Sequence, residues 1–317
     1  MAKIIRADDE IAVKTACNVL ERGGLAALPT ETVYGLAADA WNGEAVARIY
    51  EAKGRPSFNP LIAHMSELQM AVEYGEFPAD ARLLAERFWP GALTIVVPLR
   101  EGHRLSPLLL AGLPTVAIRV PSGFAQAVIA GLGRPLAAPS ANLSGRVSAT
   151  TADHVSEQLG DRIDLIVDGG PTDIGLESTI VSFVGDKPVL LRPGGIPIET
   201  LEEALQTKII AAKNNGEISA PGMMASHYAP GGTVRLNALE SQGEDAVLNF
   251  AGSTLSAPLM LTLSASGDLR EAAANLFACL SECDRQGVRS IAVAPIPHEG
   301  LGLAINDRLQ RAAAPRG

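Results

Sequence analysis

The chain has 317 residues, is 47% hydrophobic and 19% charged, and carries 26 Lys and Arg against 35 Asp and Glu. That length and apolar content suit two domains with buried cores, and the net charge of −9 excludes the broad basic excess of a general nucleic-acid binder. No apolar run is long enough to span a bilayer, three cysteines make no disulfide framework, and the segment Met1 to Glu10 turns acidic without a signal-type apolar core, so a cytoplasmic protein is expected.

Residues 1–210 hold 18 Lys and Arg against 25 Asp and Glu, a net of −7, and residues 211–317 hold 8 against 10, a net of −2. In that acidic background the cations that fall inside motifs, Lys53, Arg55, Arg119 and Arg192, are the candidates for focusing a field on an anion.

The first helix is expected to run to about Arg22, capped by Asp8 or Asp9, with Ile11, Val13, Ala16, Val19 and Leu20 on its apolar side. Gly23-Gly24 ends it, and Leu25 to Leu28 reads as a buried strand. Pro29-Thr30-Glu31-Thr32-Val33-Tyr34-Gly35-Leu36-Ala37 follows. Two threonines and a glutamate just past a strand end suit a ligand site in an α/β sheet, and the same hydroxyls suit backbone capping.

A second helix, Glu44 to Ala52, carries Val46, Ile49 and Tyr50 at helical spacing and ends at Gly54. Lys53, Arg55, Asn59 and His64 then fall within twelve residues, on a loop stiffened by Pro56 and Pro60. A helix C-terminus also draws Lys and Arg to its last carbonyls, but Asn59 and His64 beside them favour a ligand site in which side chains supply the positive charge.

A polar helical stretch ends at Phe88-Trp89-Pro90-Gly91, with Trp89 read as a core anchor. Ala92 to Leu99 and Thr115 to Pro121 read as strands, and Thr115, Ala117 and Arg119 share one face of the second. An arginine in that apolar setting calls for an anionic partner, either an acidic side chain or a ligand carboxylate. Pro135 to Ala138 is a short strand. The loop Pro139-Ser140-Ala141-Asn142-Leu143-Ser144-Gly145-Arg146-Val147-Ser148 leads to a helix starting near Thr151, which is anion-binding architecture without a P-loop. Neither a G-x-x-x-x-G-K-[ST] nor a G-x-G-x-x-G fingerprint occurs. Ile163 to Val167 is a strand, and Ser178 and Arg192 stand at strand edges beside glycines.

Residues 211–232 read as a linker by composition, yet Met223, Met224, His227 and Tyr228 suit a segment that packs over the first domain's site. From Thr233 the expected order is strand (Val234–Leu236), helix (about 243–251), strand (Pro258–Leu263), helix (Leu269–Gln286), strand (Ser290–Ala294) and helix (Leu301–Ala313). Alternating βα units point to a small Rossmann-like three-layer domain without catalytic groups of its own. Cys279 and Cys283, one helical turn apart, are expected in its core rather than on a metal. The expected division is therefore 1–210, 211–232 and 233–317.

Few nucleophiles, several cations, small hydroxyls, one amide and one imidazole together fit nucleotidyl or phosphoryl transfer, where a protein mainly positions groups and stabilises charge. The ordered blocks Pro29–Leu36, Lys53–His64, Trp89–Thr94, Thr115–Pro121, Pro139–Ser148, Glu177–Val181 and Leu191–Gly195 resemble the YrdC-like domain of threonylcarbamoyl-AMP synthases. Pro221-Gly222-Met223 through His227-Tyr228-Ala229-Pro230 resembles the linker of that family's longer two-domain form. Ala37, Ala149 and Met224 depart from residues common in the family, Gly, Pro and Lys respectively.

The resemblance implies a twisted mixed-sheet α/β domain with a large concave site. It also implies synthesis of threonylcarbamoyl-AMP and pyrophosphate from L-threonine, bicarbonate and ATP, with the product passed to separate proteins for t6A modification of certain tRNAs. Carried over by motif, Thr32, His64, Arg119 and Ser178 would hold threonine, with Ala138 alongside. Lys53, Arg55, Asn59, Thr115, Ser140, Asn142, Ser148 and Arg192 would hold ATP, and Tyr228 would reach it from the linker. Lys53 and Arg55 would offset charge developing at the α-phosphate. Mg2+ is expected on the triphosphate, with Glu31 as an added candidate ligand and no dedicated metal cage. Two other classes remain open at this point: an RNA-binding or ribosome-assembly module, and a carbamoyltransferase that uses carbamoyl phosphate.

Overall fold

The computed structural model describes residues 1–212 and 227–315. The first domain's strands are β1 (Lys3–Arg6), β2 (Ala26–Leu28), β3 (Gly35–Asp39), β4 (Ile62–His64), β5 (Leu93–Pro98), β6 (Thr115–Arg119), β7 (Leu136–Ala137), β8 (Leu165–Asp168), β9 (Thr179–Ser182), β10 (Val189–Arg192) and β11 (Ile210–Ala211). They join in one mixed sheet in the order β1-β8-β2-β3-β7-β4-β6-β5-β9-β10-β11. Its helices are α1 (Ala12–Glu21), α2 (Gly43–Lys53), α3 (Leu68–Ala71), α4 (Ala79–Phe88), α5 (Pro107–Leu110), α6 (Phe124–Leu132), α7 (Ala152–Leu159) and α8 (Ile198–Leu205).

The central strands are short and buried throughout, as expected of a sheet covered by helices. Leu25, Leu36, Val46, Ile49, Leu84, Leu93, Ile95 and Ile118 belong to its main core, against which Trp89 packs. The indole Nε1 of Trp89 donates to the Leu93 carbonyl at 2.7 Å.

The α2 helix stops where the sequence indicates. Asn42 caps its start by accepting from the Glu44 and Ala45 amides, and Gly54 takes the left-handed conformation (φ 60°) at its end. The start of α1 differs from expectation. Its N-cap is Ile11, with no side-chain cap. Asp8 is drawn instead into a two-pronged contact with Arg6, whose Nε and Nη2 donate to its two oxygens at 2.9 and 3.0 Å, and Asp9 accepts from the Arg6 amide. The adjacent guanidinium outcompetes the helix N-terminus for the Asp8 carboxylate, and the Arg6 backbone amide takes that of Asp9.

The second domain holds β12 (Thr233–Arg235), β13 (Ala246–Phe250), β14 (Leu259–Ser264) and β15 (Ser290–Val293), with helices α9 (Leu269–Arg285) and α10 (Leu301–Ala313). All its strand pairs are parallel, in the order β12-β15-β13-β14. The helix expected at about 243–251 is a strand, β13. Ala246, Val247, Leu248 and Phe250 are buried between two parallel neighbours, where both faces are covered and no alternation survives to mark a strand. Cys279 and Cys283 are free thiols buried on α9, as expected.

The two domains share a core. Val33, Val147 and Leu176 of the first join Tyr228 and the second domain's Phe277, Leu280 and Ile305 in a single apolar cluster. Gly175 permits the approach: a Cβ there would lie 2.5 Å from the Ala274 Cα of α9, and its φ of +73° suits glycine alone. Among the described residues no helix is long and apolar enough to cross a membrane.

Candidate active site

Strand register assembles the site. His64 pairs with Arg119 across the parallel β4–β6 ladder, and Arg119 pairs with Thr94 across the antiparallel β5–β6 ladder. Directly opposed residues project from the same face, so three polar side chains stand in a row on three neighbouring strands. Thr94 extends the row, its hydroxyl lying 2.7 Å from that of Ser178, to which Arg192 Nη2 donates at 3.2 Å. Arg192 also grips the Ser178 carbonyl through Nε and Nη2, at 3.2 and 2.9 Å.

Around this row lies one hollow, lined among others by Thr30, Arg55, His64, Arg119, Ser140 and Arg192. Ala138, Ser178 and Glu177 complete its floor, and His227 and Tyr228 close over it from the second domain's side. The described end of the linker, 227–230, is therefore buried against the first domain, with the Ala229 amide donating to the Gly145 carbonyl at 2.9 Å. Met223 and Met224 lie outside the described residues.

Four of the remaining candidates stand one contact behind the lining. The Lys53 ammonium donates to the Ser140 carbonyl at 2.6 Å and to the Asn142 carbonyl. Thr32 accepts from Arg119 at 2.8 Å, and Ser148 donates to Glu177 Oε1 at 2.5 Å. The Asn142 amide nitrogen is spent on the Leu143 and Arg146 carbonyls, which fixes the turn and leaves Oδ1 buried without a partner. Thr30 takes the capping role: its hydroxyl donates to the Val33 carbonyl at 2.6 Å and accepts from Thr32.

Thr115 and Asn59 stand apart from the hollow. Thr115 begins β6, about 13 Å from Arg119 at ~3.3 Å per residue. Ile62 pairs with Ala117, so stepping back along both strands brings Asn59 to the Thr115 end. Asn59 is fully buried, and neither atom of its amide has a hydrogen-bond partner. Buried amides are seldom left so, which marks this end as a second place where a polar group is awaited.

The charges are unevenly matched. Arg119 finds the anionic partner its burial demands in Glu31, with Nη2 to Oε1 at 2.6 Å, while the Ser122 amide donates to the other oxygen. Neither Lys53 nor Arg55 is in direct contact with a carboxylate among the described residues, although Glu177 acts on Lys53 at longer range. Arg55 donates only to the Asn59 and Pro60 carbonyls, at 3.3 and 3.0 Å. Burial, and then the charge of Arg55, pushes the Lys53 ammonium well below the usual lysine range, and burial lowers Arg55 to about 10. His64 is held at about 3 by burial and then by Arg119, so its imidazole is neutral. Its Nδ1 lies 3.2 Å from the Ile62 carbonyl, which places the proton there and leaves Nε2 as an acceptor. Burial works against the Glu177 carboxylate, but Arg308, Arg192 and Ser148 outweigh it and hold the group at about 2.

Glu177, Thr94 and Arg308 were not anticipated. Thr94 is a lone hydroxyl in a buried Leu-Thr-Ile-Val-Val strand, and Arg308 interrupts the apolar face of α10 between Ala304 and Ala312. Both are polar residues at positions where the period calls for apolar ones, the signal that flagged Arg119. Among the described residues no group of three His, Cys, Asp or Glu could hold a metal, and Glu31 is already engaged through both oxygens.

A twisted mixed-sheet α/β protein with buried, carbonyl-bound cations around one hollow is a protein built to take an anionic substrate. A family model described as "Telomere recombination" matches residues 18–194, and one described as "Threonylcarbamoyl-AMP synthase, C-terminal domain" matches 196–314. The chain is 42% identical over 330 residues to the threonylcarbamoyl-AMP synthase of Bacillus subtilis (strain 168), covering 98% of this chain and 94% of that protein. The Pyrococcus abyssi Sua5 protein, solved in complex with L-threonine, superposes with a TM-score of 0.91 at 38% identity, covering 99% of this chain and 97% of that one. A shorter relative, the putative threonylcarbamoyl-AMP synthase of Mycobacterium tuberculosis (strain CDC 1551 / Oshkosh), is 36% identical over 197 residues, 61% of this chain and 88% of that protein. The chain belongs to the threonylcarbamoyl-AMP synthase family, in its two-domain form.

Proposed function

We propose that the protein is a nucleotidyltransferase that condenses L-threonine, bicarbonate and ATP into threonylcarbamoyl-AMP and pyrophosphate. The observation that carries this reading is the pair Lys53 and Arg55, both buried and both bound only to neutral carbonyl oxygens. A buried cation without a directly bound counter-charge is costly, and a triphosphate offsets both at once.

Threonine takes the β4–β6 C-terminal end. Its carboxylate lies on Arg119, beside Thr32 and Ser178, and its amine faces the neutral Nε2 of His64, with Ala138 alongside. The amine nitrogen bonds to the carbon of bicarbonate, and water leaves. A carbamate oxygen then attacks the α-phosphorus as the bond from that phosphorus to the α–β bridging oxygen breaks, releasing pyrophosphate. Lys53, Arg55 and Arg192 stabilise the charge that develops on the phosphate oxygens. Ser140 borders the phosphates, with Asn142 and Ser148 one contact behind it, and Tyr228 covers them. The nucleoside end extends toward Asn59 and Thr115, which accounts for the unpartnered Asn59 amide. ATP enters with Mg2+ on its phosphates, so the metal belongs to the substrate.

The product is a mixed anhydride that needs a separate acceptor protein, and threonylcarbamoyl transfer to tRNA in the cytoplasm is the use this reading gives it. The test is mass spectrometry of the product from ATP with threonine or serine, and with bicarbonate or carbamoyl phosphate. Threonylcarbamoyl-AMP from bicarbonate is expected, and its loss in Arg55→Ala. A product only from carbamoyl phosphate, or turnover unchanged in Arg55→Ala, overturns the assignment.

A further inference from the structure

Helix α10 of the second domain places an arginine directly behind Glu177, a residue of the hollow's wall. Arg308 is 0% exposed. Its Nε donates to Glu177 Oε2 at 2.8 Å, its Nη2 to the Pro193 carbonyl at 3.0 Å and its Nη1 to Asp307 Oδ2 at 2.5 Å. The guanidinium carbon lies 5.0 Å above the Tyr228 ring. One side chain thus fastens the segments that carry Ser178 and Arg192 and the ring that closes the site.

We propose that Arg308 is a positioning residue for the transfer reaction, acting from the second domain through Glu177. The inference rests on the reaction proposed above. Its physical basis is charge matching. Glu177 is buried and faces Arg308 on α10, Arg192 on β10, Lys53 at the end of α2, Ser148, and His227 and Tyr228, while Asp307 on α10 binds the Nη1 side of the same Arg308. With Arg308 in place, that carboxylate has a directly bound cation, shared with Asp307. Without Arg308, Glu177 draws on Arg192 and Lys53, the groups needed by the phosphates, or takes up a proton. Arg308 therefore keeps an acidic wall residue from competing with the nucleotide, while Ser148 stays tied to the other Glu177 oxygen.

The test compares the full-length wild type with Arg308→Met, Arg308→Lys, Glu177→Gln and the double Arg308→Met/Glu177→Gln. Measured are threonine- and bicarbonate-dependent pyrophosphate release against pH, the KM for ATP, threonine binding by calorimetry, and folding by circular dichroism. Arg308→Met is expected to lower kcat by about tenfold or more and raise the ATP KM, with threonine affinity held. Its acid limb is expected to move up by about one pH unit or more, because Glu177 has lost its main cation. Arg308→Lys restores part of both effects. The double variant recovers activity relative to Arg308→Met, since no carboxylate is left to compete.

A folded Arg308→Met enzyme with unchanged kcat, ATP KM and acid limb overturns the inference, as does a double variant whose losses simply add. If Arg308→Met does not fold, Arg308→Lys and the double variant are read against the same criteria. If those do not fold either, Glu177→Gln decides, an unchanged pH profile counting against the inference. A wild-type chain that makes no threonylcarbamoyl-AMP overturns the proposed reaction, whereas a wild type that makes it alongside unaffected Arg308 variants overturns only the role of Arg308.

Discussion

Arg119 and Glu31 are joined by a contact of 2.6 Å from Nη2 to Oε1, and the same Nη2 reaches Thr32 at 2.8 Å. No described residue accepts from Nη1, and the guanidinium borders the hollow. Glu31 thus supports one side of the arginine while the other is presented to a ligand. In the proposed reaction that ligand is the threonine carboxylate, and a planar fork matters as much as a charge. Arg119→Lys is expected to raise the threonine KM by about 10- to 100-fold, or about 1.4 to 2.7 kcal/mol, with ATP affinity unchanged. Separate titrations of the two substrates check this, and equal losses for both would place Arg119 elsewhere in the mechanism.

Lys53 leads to a second prediction. Burial lowers its proton affinity, and a triphosphate alongside would raise it again. ATP binding at mildly alkaline pH should therefore take up protons. Calorimetric titrations in two buffers of different ionisation enthalpy measure that uptake. It should disappear in Lys53→Met, and binding without proton uptake in the wild type would mean that Lys53 keeps its proton throughout.

Strands β2, β5, β6, β7, β8, β12, β14 and β15, the break after α2 and the need of Arg119 for an anionic partner were legible from local rules: apolar runs and period two, a left-handed glycine, the cost of a buried charge. The short strands β1, β3, β4 and β11 were not anticipated. The second strand of the second domain was not legible either, since β13 is buried on both faces and its five residues carry no period. Asp8 and Asp9 were misread as caps because Arg6 lies within reach of both, a competition that spacing alone does not rank. Arg308 was hidden for another reason. Its partner Glu177 lies 131 residues away, so only the assembled fold shows that a domain lacking catalytic groups of its own completes the wall of the site.

His64 gives a prediction about pH. Histidine ordinarily titrates near 6.5, but burial and then Arg119 hold this one at about 3. Threonine affinity should therefore be flat between about pH 5.5 and 8, the range in which an ordinary histidine changes charge. Calorimetry across that range is the check. An inflection near 6.5 that vanishes in His64→Gln would show that the imidazole takes up a proton in the working enzyme.

Ending the chain at residue 210 should abolish threonine-dependent pyrophosphate release. The cut removes Tyr228 from the hollow and Arg308 from behind Glu177, and bares Val33, Val147 and Leu176, which pack against the second domain. The fragment is also expected to self-associate through that apolar face. Activity assays and light scattering on the fragment read the two effects separately, and a monomeric, fully active fragment would reduce the second domain to an appendage.

Glu177 ties stability to acid. Its carboxyl is held at about 2 in the folded protein, below the ordinary 4.5, with burial opposed and outweighed by Arg308, Arg192 and Ser148. A group whose folded value is depressed contributes stability that is complete above its unfolded value and is lost as pH falls through the folded one. Urea unfolding should therefore show stability declining from about pH 4.5 toward pH 2 in the wild type. Glu177→Gln removes the carboxylate and leaves Arg308 buried without it, which is expected to cost about 3–5 kcal/mol at neutral pH. Because the variant has no proton to gain at this position, the gap between the two proteins should narrow steadily as the pH drops through that window. A gap that stays constant from pH 7 to pH 3 would mean that Glu177 is not ionised in the folded chain.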